Sequence, residues 1–201
     1  PIKIEKDAGT IPDVFAAQGT KCVSCIREFL PEQEVIVIPA FKYEHVWENE
    51  HEFINEKKQV LVAFPISLDA TIRILESLIS AYLSDMRLSD SGVDFILKPH
   101  PKNSIKSINQ RVRMNLPKSF RFTEEKSFPK ILKDSSLLVT EASSTCLEAM
   151  AYGISVIVIE NRSGLTYDPI PSNIDKNLYR KTRTEKSLTD SLIHFLSLNE
   201  D

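Results

Sequence analysis

Two short groups of polar residues follow apolar segments and have side chains suited to binding an anion. The first, Lys98-Pro99-His100-Pro101, contains two prolines that restrict the backbone and remove two N–H donors. Lys98 can meet a phosphate as a point charge, and His100 can meet it as a hydrogen-bond donor. The alternative is that the group only ends a strand and leaves Lys98 in solvent.

The second group, Ser143-Ser144-Thr145, begins a helical segment after another apolar run. Such hydroxyls often cap a helix, but they also suit a phosphate placed against free N–H groups at the positive end of a helix dipole. Glu148, one turn further, can accept hydrogen bonds from two ribose hydroxyls. The two groups together predict a nucleoside-phosphate site. Glycine-rich dinucleotide and ATP fingerprints are absent from the sequence, which argues against those ligands.

Three further residues are weaker candidates. Ser67 and Asp69 follow a predicted strand and could touch a phosphate or an acceptor, although capping of a helix, with Asp69 as the cap, is the more ordinary role. Arg162 is the charged residue of the segment 161–164 and is predicted to close over a bound donor.

The elements that position these residues begin near residue 57, where short apolar runs alternate with amphipathic stretches. Strands are predicted at 60–64, 93–97, 120–122, 137–140 and 154–159, and helices include 127–133, 145–152 and 186–198. Repeated βα units predict an α/β fold, a Rossmann-like open parallel sheet with helices on both faces. Ligands bind such sheets outside the carboxyl ends of the strands, so both polar groups are expected at that edge.

Composition excludes several classes of partner. The net charge of −3 and the pI of about 5.9 offer no electrostatic footprint for nucleic acid, and no run approaches the roughly 20 apolar residues of a transmembrane segment. We therefore expect a cytoplasmic protein, with room for peripheral attachment at the inner membrane face through partners.

The three cysteines are too few for a disulfide framework. Cys22 and Cys25 have the spacing that zinc and redox sites share, but zinc needs two more ligands, so we expect two structural cysteines on one helix. Neither a metal nor another cofactor is expected.

The segment 148–157 resembles a known signature. Its sequence, EAMAYGISVI, is similar to the helix–Gly–strand segment of the C-terminal domain in GT-B fold glycosyltransferases, where Ser155 is usually Pro. The resemblance implies that Glu148 binds the donor ribose and that the sheet is one half of a GT-B fold.

The His-Pro and Ser-Ser groups are similar to motifs of bacterial surface-polysaccharide transferases, including sialyl-, polysialyl- and Kdo-type enzymes, and of CDP-glycerol glycerophosphotransferases. The segment Pro39-Ala40-Phe41-Lys42-Tyr43 resembles the end of the N-terminal domain in surface-carbohydrate biosynthesis proteins. The resemblance implies that residues 1–50 are the remnant of a preceding N-terminal domain plus a linker, and that 57–201 bind the nucleotide sugar. The chain begins at Pro1 without a signal peptide, and we expect the missing domain upstream.

The expected function is glycosyl transfer from a nucleotide-activated sugar, CMP- or CDP-linked by preference and UDP-linked as an alternative, to a surface polysaccharide or lipid-linked acceptor. In this hypothesis Lys98 and His100 stabilise the leaving phosphate, and the general base comes from the N-terminal domain. The alternatives are an enzyme similar to UDP-N-acetylglucosamine 2-epimerase and a non-catalytic binding or assembly module.

Overall fold

The computed structural model describes residues 2–47, 58–141, 143–161, 170 and 174–197. The chain forms two compact units, Pro1–Glu50 and His51–Asp201. None of the described helices is long and apolar enough to cross a membrane.

The first unit contains a small parallel sheet of two strands. Its elements are, in order, α1 (Ile2–Asp7), β1 (Val14–Gln18), α2 (Thr20–Phe29), β2 (Glu34–Ile38), a 3₁₀ turn (Phe41–Tyr43) and α3 (Glu44–Trp47). Both Cys22 and Cys25 lie on α2, as predicted, and both are exposed. Ile36 and Val37 of β2 are also exposed, at 48% and 58%. The assignment of this unit to a preceding domain stays a prediction.

The second unit is an open six-stranded parallel sheet. The described strands are β3 (Gln59–Ala63), β4 (Asp94–Lys98), β5 (Phe120–Phe122), β6 (Leu137–Thr140), β7 (Ser155–Ile159) and β8 (Tyr179–Thr182). Their order is β5-β4-β3-β6-β7-β8, and every neighbouring pair is parallel. In chain order within the unit this is 3-2-1-4-5-6, the strand order of dinucleotide-binding Rossmann sheets.

Helices cover both faces of this sheet. They are α4 (Leu68–Ser84), α5 (Met86–Ser89), α6 (Ile105–Asn109), α7 (Phe128–Lys133), α8 (Thr145–Ala151) and α9 (Glu185–Ser197). On one face Val60 and Val62 pack in a single buried cluster with Leu75 of α4 and Leu192 of α9. Leu61 is also fully buried, and side chains alternate along a strand, so it faces the opposite side. The predicted fold class is confirmed.

Local sequence explains where the site-bearing helices begin and end. The prediction that Asp69 caps α4 is wrong: the helix begins at Leu68, and Ser67 is its N-cap. Gly153 ends α8 with a φ of 72°, and the N–H groups of Gly153 and Ile154 donate to the carbonyls of Met150 and Ala149 at 2.9 Å each. This is the paired hydrogen bonding of a Schellman motif, which glycine favours because it needs a positive φ.

Candidate functional site

The predicted site residues lie on loops that follow three neighbouring strands. β3 lies between β4 and β6, and the chain leaves β3 toward β4 on one side of the sheet and β6 toward β7 on the other. The point at which the strand order reverses opens a crevice at the carboxyl edge of such sheets. Neighbouring strands are about 4.8 Å apart, so the ends of β4 and β6 lie about 10 Å from each other. One phosphate-bearing ligand can span that distance.

The loop after β4 fixes the imidazole of His100. Nδ1 of this half-buried side chain accepts a hydrogen bond from the backbone N–H of Lys102 at 3.2 Å. A ring nitrogen that accepts carries no proton, so the neutral imidazole has its proton on Nε2. His100 therefore has Nε2–H as its hydrogen-bond donor, the group that a phosphate oxygen needs.

Lys98 holds the neighbouring loop after β5. Its Nζ donates to the backbone carbonyl of Glu125. The Glu125 carboxylate accepts from Nζ of Lys130 at 2.8 Å and from the N–H of Ser127 at 3.0 Å. These hydrogen bonds, the one from Lys130 first, lower the pKa of Glu125 to about 2. Lys98 thus holds this loop in place. Its ammonium group has three donors, so it can also donate to a ligand.

The loops after β3 and β4 are joined by one side chain. Nδ2 of Asn103 donates to the carbonyls of Pro65 and Ile66, at 3.3 and 3.2 Å. Ser67 follows directly, and its Oγ accepts from the N–H of Ala70 at 3.3 Å, which is the geometry of a helix cap. Ser67 is therefore at the predicted edge, and its hydroxyl caps α4.

The loop after β6 starts from a buried anchor. Oγ1 of Thr140 donates to the carbonyl of Ala63 at 2.8 Å, which fixes β6 against β3 at this edge. Ser143 Oγ lies 3.4 Å from the N–H of Thr145, a long hydrogen bond. Ser144 is the N-cap residue of α8, and its side chain makes no capping hydrogen bond. The capping interpretation therefore explains Ser143 weakly and Ser144 not at all.

Two residues of α8 place polar groups inside this region. Oγ1 of Thr145 is buried and has no hydrogen-bond partner in the part of the chain that the structure describes. Leaving such a hydroxyl unsatisfied costs about 1–3 kcal/mol. The Glu148 side chain, one turn on, is 9% exposed. Burial first, and the negative charge of Glu148 second, raise the pKa of Tyr152 on the next turn.

Arg73 is a residue that sequence reasoning missed. From α4 its guanidinium bonds the Glu141 carboxylate, Nη2 to Oε1 at 2.9 Å, and the Glu160 carbonyl, from Nη1 at 3.3 Å. The Glu160 carboxylate in turn lies 3.3 Å from Nε of Arg183. No local pattern indicates this bridge, because its three elements lie 68 and 87 residues apart in sequence.

The structure brings most of the predicted site to one edge of the sheet. The residues there are Lys98, His100, Ser67, Ser143, Ser144, Thr145 and Glu148. Arg162 lies outside the described residues. Within the described residues no group of three or more His, Cys, Asp or Glu side chains could hold a metal ion. The arrangement combines hydrogen-bond donors, a cation and a buried carboxylate, which can bind the phosphate and sugar of a nucleotide.

Comparisons with known proteins bear on the fold. No protein-family model matches the chain, and no curated protein matches it in sequence. Among solved structures, the UDP-GlcNAc 2-epimerase of Methanocaldococcus jannaschii, in complex with UDP-GlcNAc and UDP, matches with a TM-score of 0.64 and 16% identity. The match covers 92% of this chain and 54% of the epimerase. The second unit has the Rossmann-like fold of a GT-B half.

Two further structures give weaker matches. The β-Kdo 2,4-transferase of Thermosulfurimonas dismutans KpsC has a TM-score of 0.40 and 17% identity over 78% of this chain and 54% of its own. The β-Kdo 2,7-transferase of the same protein has a TM-score of 0.35 and 14% identity. The match covers 80% of this chain and 62% of the transferase. The chain thus spans about half the length of the first structures it matches.

Proposed function

We propose that this chain binds the phosphate of a nucleotide-activated sugar at the carboxyl edge of its six-stranded sheet and serves as the donor half of a glycosyltransferase. The observation that carries the proposal is that the loops bearing His100 and Ser143 to Thr145 flank β3 at the reversal of strand order. Switch points of this kind are where open α/β sheets bind nucleotides. The N–H of Lys102 occupies Nδ1 of His100 and leaves Nε2 as the donor, and the buried hydroxyl of Thr145 has no partner among the described residues.

The proposed chemistry is stabilisation of a leaving group. In glycosyl transfer the bond between the anomeric carbon and the donor phosphate oxygen breaks, and a hydroxyl oxygen of the acceptor forms a new bond to that carbon. Negative charge then grows on the departing nucleotide phosphate. Nε2–H of His100, the charge of Lys98 and the hydroxyls of the loop after β6 would stabilise it without reorganisation.

The remaining parts of the reaction need groups from elsewhere. Glu148, buried one turn into α8, would hold the ribose hydroxyls. A general base must take the proton of the acceptor, a surface polysaccharide or lipid-linked glycan, and we expect it from an N-terminal domain across the cleft. Ligand sites lie preferentially between domains. This chain alone should therefore bind nucleotide while turning over little.

A cytidine-linked donor is the preferred substrate class in this proposal. It rests on the similarity of the His-Pro and Ser-Ser groups to motifs of transferases that use CMP-activated sugars. The loop after β6 also offers three hydroxyl side chains for the phosphate, those of Ser143, Ser144 and Thr145. The sequence contains no glycine-rich phosphate loop.

A second candidate function is supported by the fold comparison. The solved structure that matches 92% of this chain is a UDP-GlcNAc 2-epimerase holding UDP-GlcNAc and UDP. An enzyme of this kind would bind a uridine nucleotide at the same edge. The two candidates differ in the nucleobase they require, so ligand preference separates them.

A thermal-shift panel tests both candidates with the 201-residue chain. CMP and CDP should raise the melting temperature more than UMP, UDP, GDP and ADP at equal concentration. A ligand that binds only the native state stabilises it by about 2.7 kcal/mol at 100 times its dissociation constant. A ranking led by UDP would favour the epimerase-like candidate. If no nucleotide shifts the melting temperature, the proposed donor site is wrong.

A further inference from the structure

Arg73 links two loops of the proposed site to one helix. Its two acceptors, the Glu141 carboxylate and the Glu160 carbonyl, follow immediately after the last residues of β6 and β7. The side chains of Arg73 and Glu141 are 18% and 17% exposed, so the pair is largely shielded from solvent. Salt screens such a pair much less than it screens one at the surface.

Glu141 is an unfavourable neighbour for a phosphate. It lies two residues before Ser143, so the two Cα atoms are at most about 7.6 Å apart, two steps of the chain at 3.8 Å each. A partly buried carboxylate at that range repels an anion at the same loop. The guanidinium of Arg73 pairs with this carboxylate and cancels its charge.

The other glutamate that Arg73 contacts has its carboxylate paired elsewhere. Glu160 offers Arg73 its backbone carbonyl, while its carboxylate pairs with Arg183 at 3.3 Å. Glu141 is thus the carboxylate that Arg73 neutralises. A planar guanidinium donates here from two different nitrogens to two acceptors, a fixed geometry that the single nitrogen of a lysine does not reproduce.

We propose that Arg73 is a positioning residue of the phosphate site. By pairing with Glu141 it removes the net negative charge from the loop after β6, so that a nucleotide phosphate can bind beside Ser143. This inference rests on the proposed function, because it assumes that an anion binds beside Ser143. It predicts an effect on charged ligands that a purely structural ion pair would not produce.

The test compares CMP with cytidine by calorimetry. Arg73→Ala should weaken CMP binding about tenfold, because it exposes the phosphate to an uncompensated carboxylate. Binding of cytidine, which has no phosphate, should change by less than about twofold. The double variant Arg73→Ala/Glu141→Gln should recover most of the lost CMP affinity, because the repelling charge is gone.

Two further variants keep the test decisive. Glu141→Gln alone leaves Arg73 without its carboxylate, so CMP affinity should rise while the fold stays intact, even if Arg73→Ala does not fold. Arg121→Ala, which removes a 2.6 Å ion pair with Asp94 at the opposite edge of the sheet, is the matched control and should leave both affinities unchanged.

The outcomes separate this inference from the proposed function. Equal losses for CMP and cytidine, or no recovery in the double variant, would show that Arg73 only supports the fold. A wild-type chain that binds CMP, with unchanged affinity in Arg73→Ala, overturns the positioning role and leaves the donor site standing. A wild-type chain that binds neither CMP nor UMP overturns both.

Discussion

The two edges of the six-stranded sheet are cross-linked in similar ways but differ in what they leave unsatisfied. At the amino edge Nε2 of Gln59 donates to Ser135 Oγ at 3.1 Å, and Ser136 donates to the Gln59 carbonyl through both its N–H and its hydroxyl. In each of these bonds the donor and the acceptor come from the starts of the neighbouring strands β3 and β6, so both groups are already satisfied. Hydrogen bonding of this kind stabilises the strand order and leaves little to offer a ligand.

The carboxyl edge has equivalent cross-links and additional polar groups. Asn103 joins the loops after β3 and β4, and Thr140 joins β6 to β3. In addition, Nδ1 of His100 accepts from the N–H of Lys102, which leaves Nε2 as the donor of the ring. Thr145 Oγ1 is buried with no partner in the described part of the chain. Cross-links therefore do not distinguish a site from a structural edge. The site is instead indicated by polar groups that the fold leaves unused beside the reversal of strand order.

The sharpest way to test this difference is to remove the buried hydroxyl at the carboxyl edge. Thr145→Val keeps the shape of the side chain, and should weaken CMP binding about tenfold if the hydroxyl bonds the phosphate. The same change should raise the free energy of unfolding of the ligand-free chain by about 1 kcal/mol, because an unsatisfied buried hydroxyl is costly. Calorimetry and urea denaturation measure the two effects.

Thr182→Val is the matched control. Oγ1 of Thr182 is also buried without a partner among the described residues, but it lies at the end of β8, the outermost strand on that side and three strands away from β3. This variant should gain similar stability and keep its affinity for CMP. If both variants lose affinity equally, or if Thr145→Val loses stability instead, the hydroxyl of Thr145 has a structural role and the comparison between the edges fails.

A smaller effect is expected from the ion pair at the amino edge. Arg121 and Asp94 have side chains 58% and 46% exposed, and exposed pairs contribute little because water and salt screen them. Arg121→Ala should lower the free energy of unfolding by less than about 1 kcal/mol. A loss of CMP affinity in this variant would show that charge anywhere on the sheet affects the ligand.

Much of the fold could be predicted because its signals are local. The strands at 120–122 and 137–140 have the predicted bounds, and the three others that were predicted agree within one residue at each end. Buried parallel strands are continuous apolar runs, as in Leu137–Thr140, and Gly153 marks a helix end through its backbone conformation. Strand β8 was missed because Tyr179–Thr182 is an edge strand with polar and charged residues.

The site was only partly predictable for a different reason. His100 and Ser143 lie at strand ends that the chain itself indicates, so their common edge follows from the parallel sheet. The roles of Arg73 toward Glu141 and of Lys98 toward Glu125 arise only when distant elements meet, and no spacing in the sequence encodes them. Whether these residues bind nucleotide remains a prediction.

One calorimetric comparison tests together whether a nucleotide phosphate binds at His100 and its ribose at Glu148. His100→Ala should weaken CMP binding about 10- to 150-fold, the range for a lost hydrogen bond to a charged group, and should spare cytidine. Glu148→Ala should weaken both CMP and cytidine, since both contain the ribose. Equal losses of the two ligands in both variants, or no loss in either, would contradict the account.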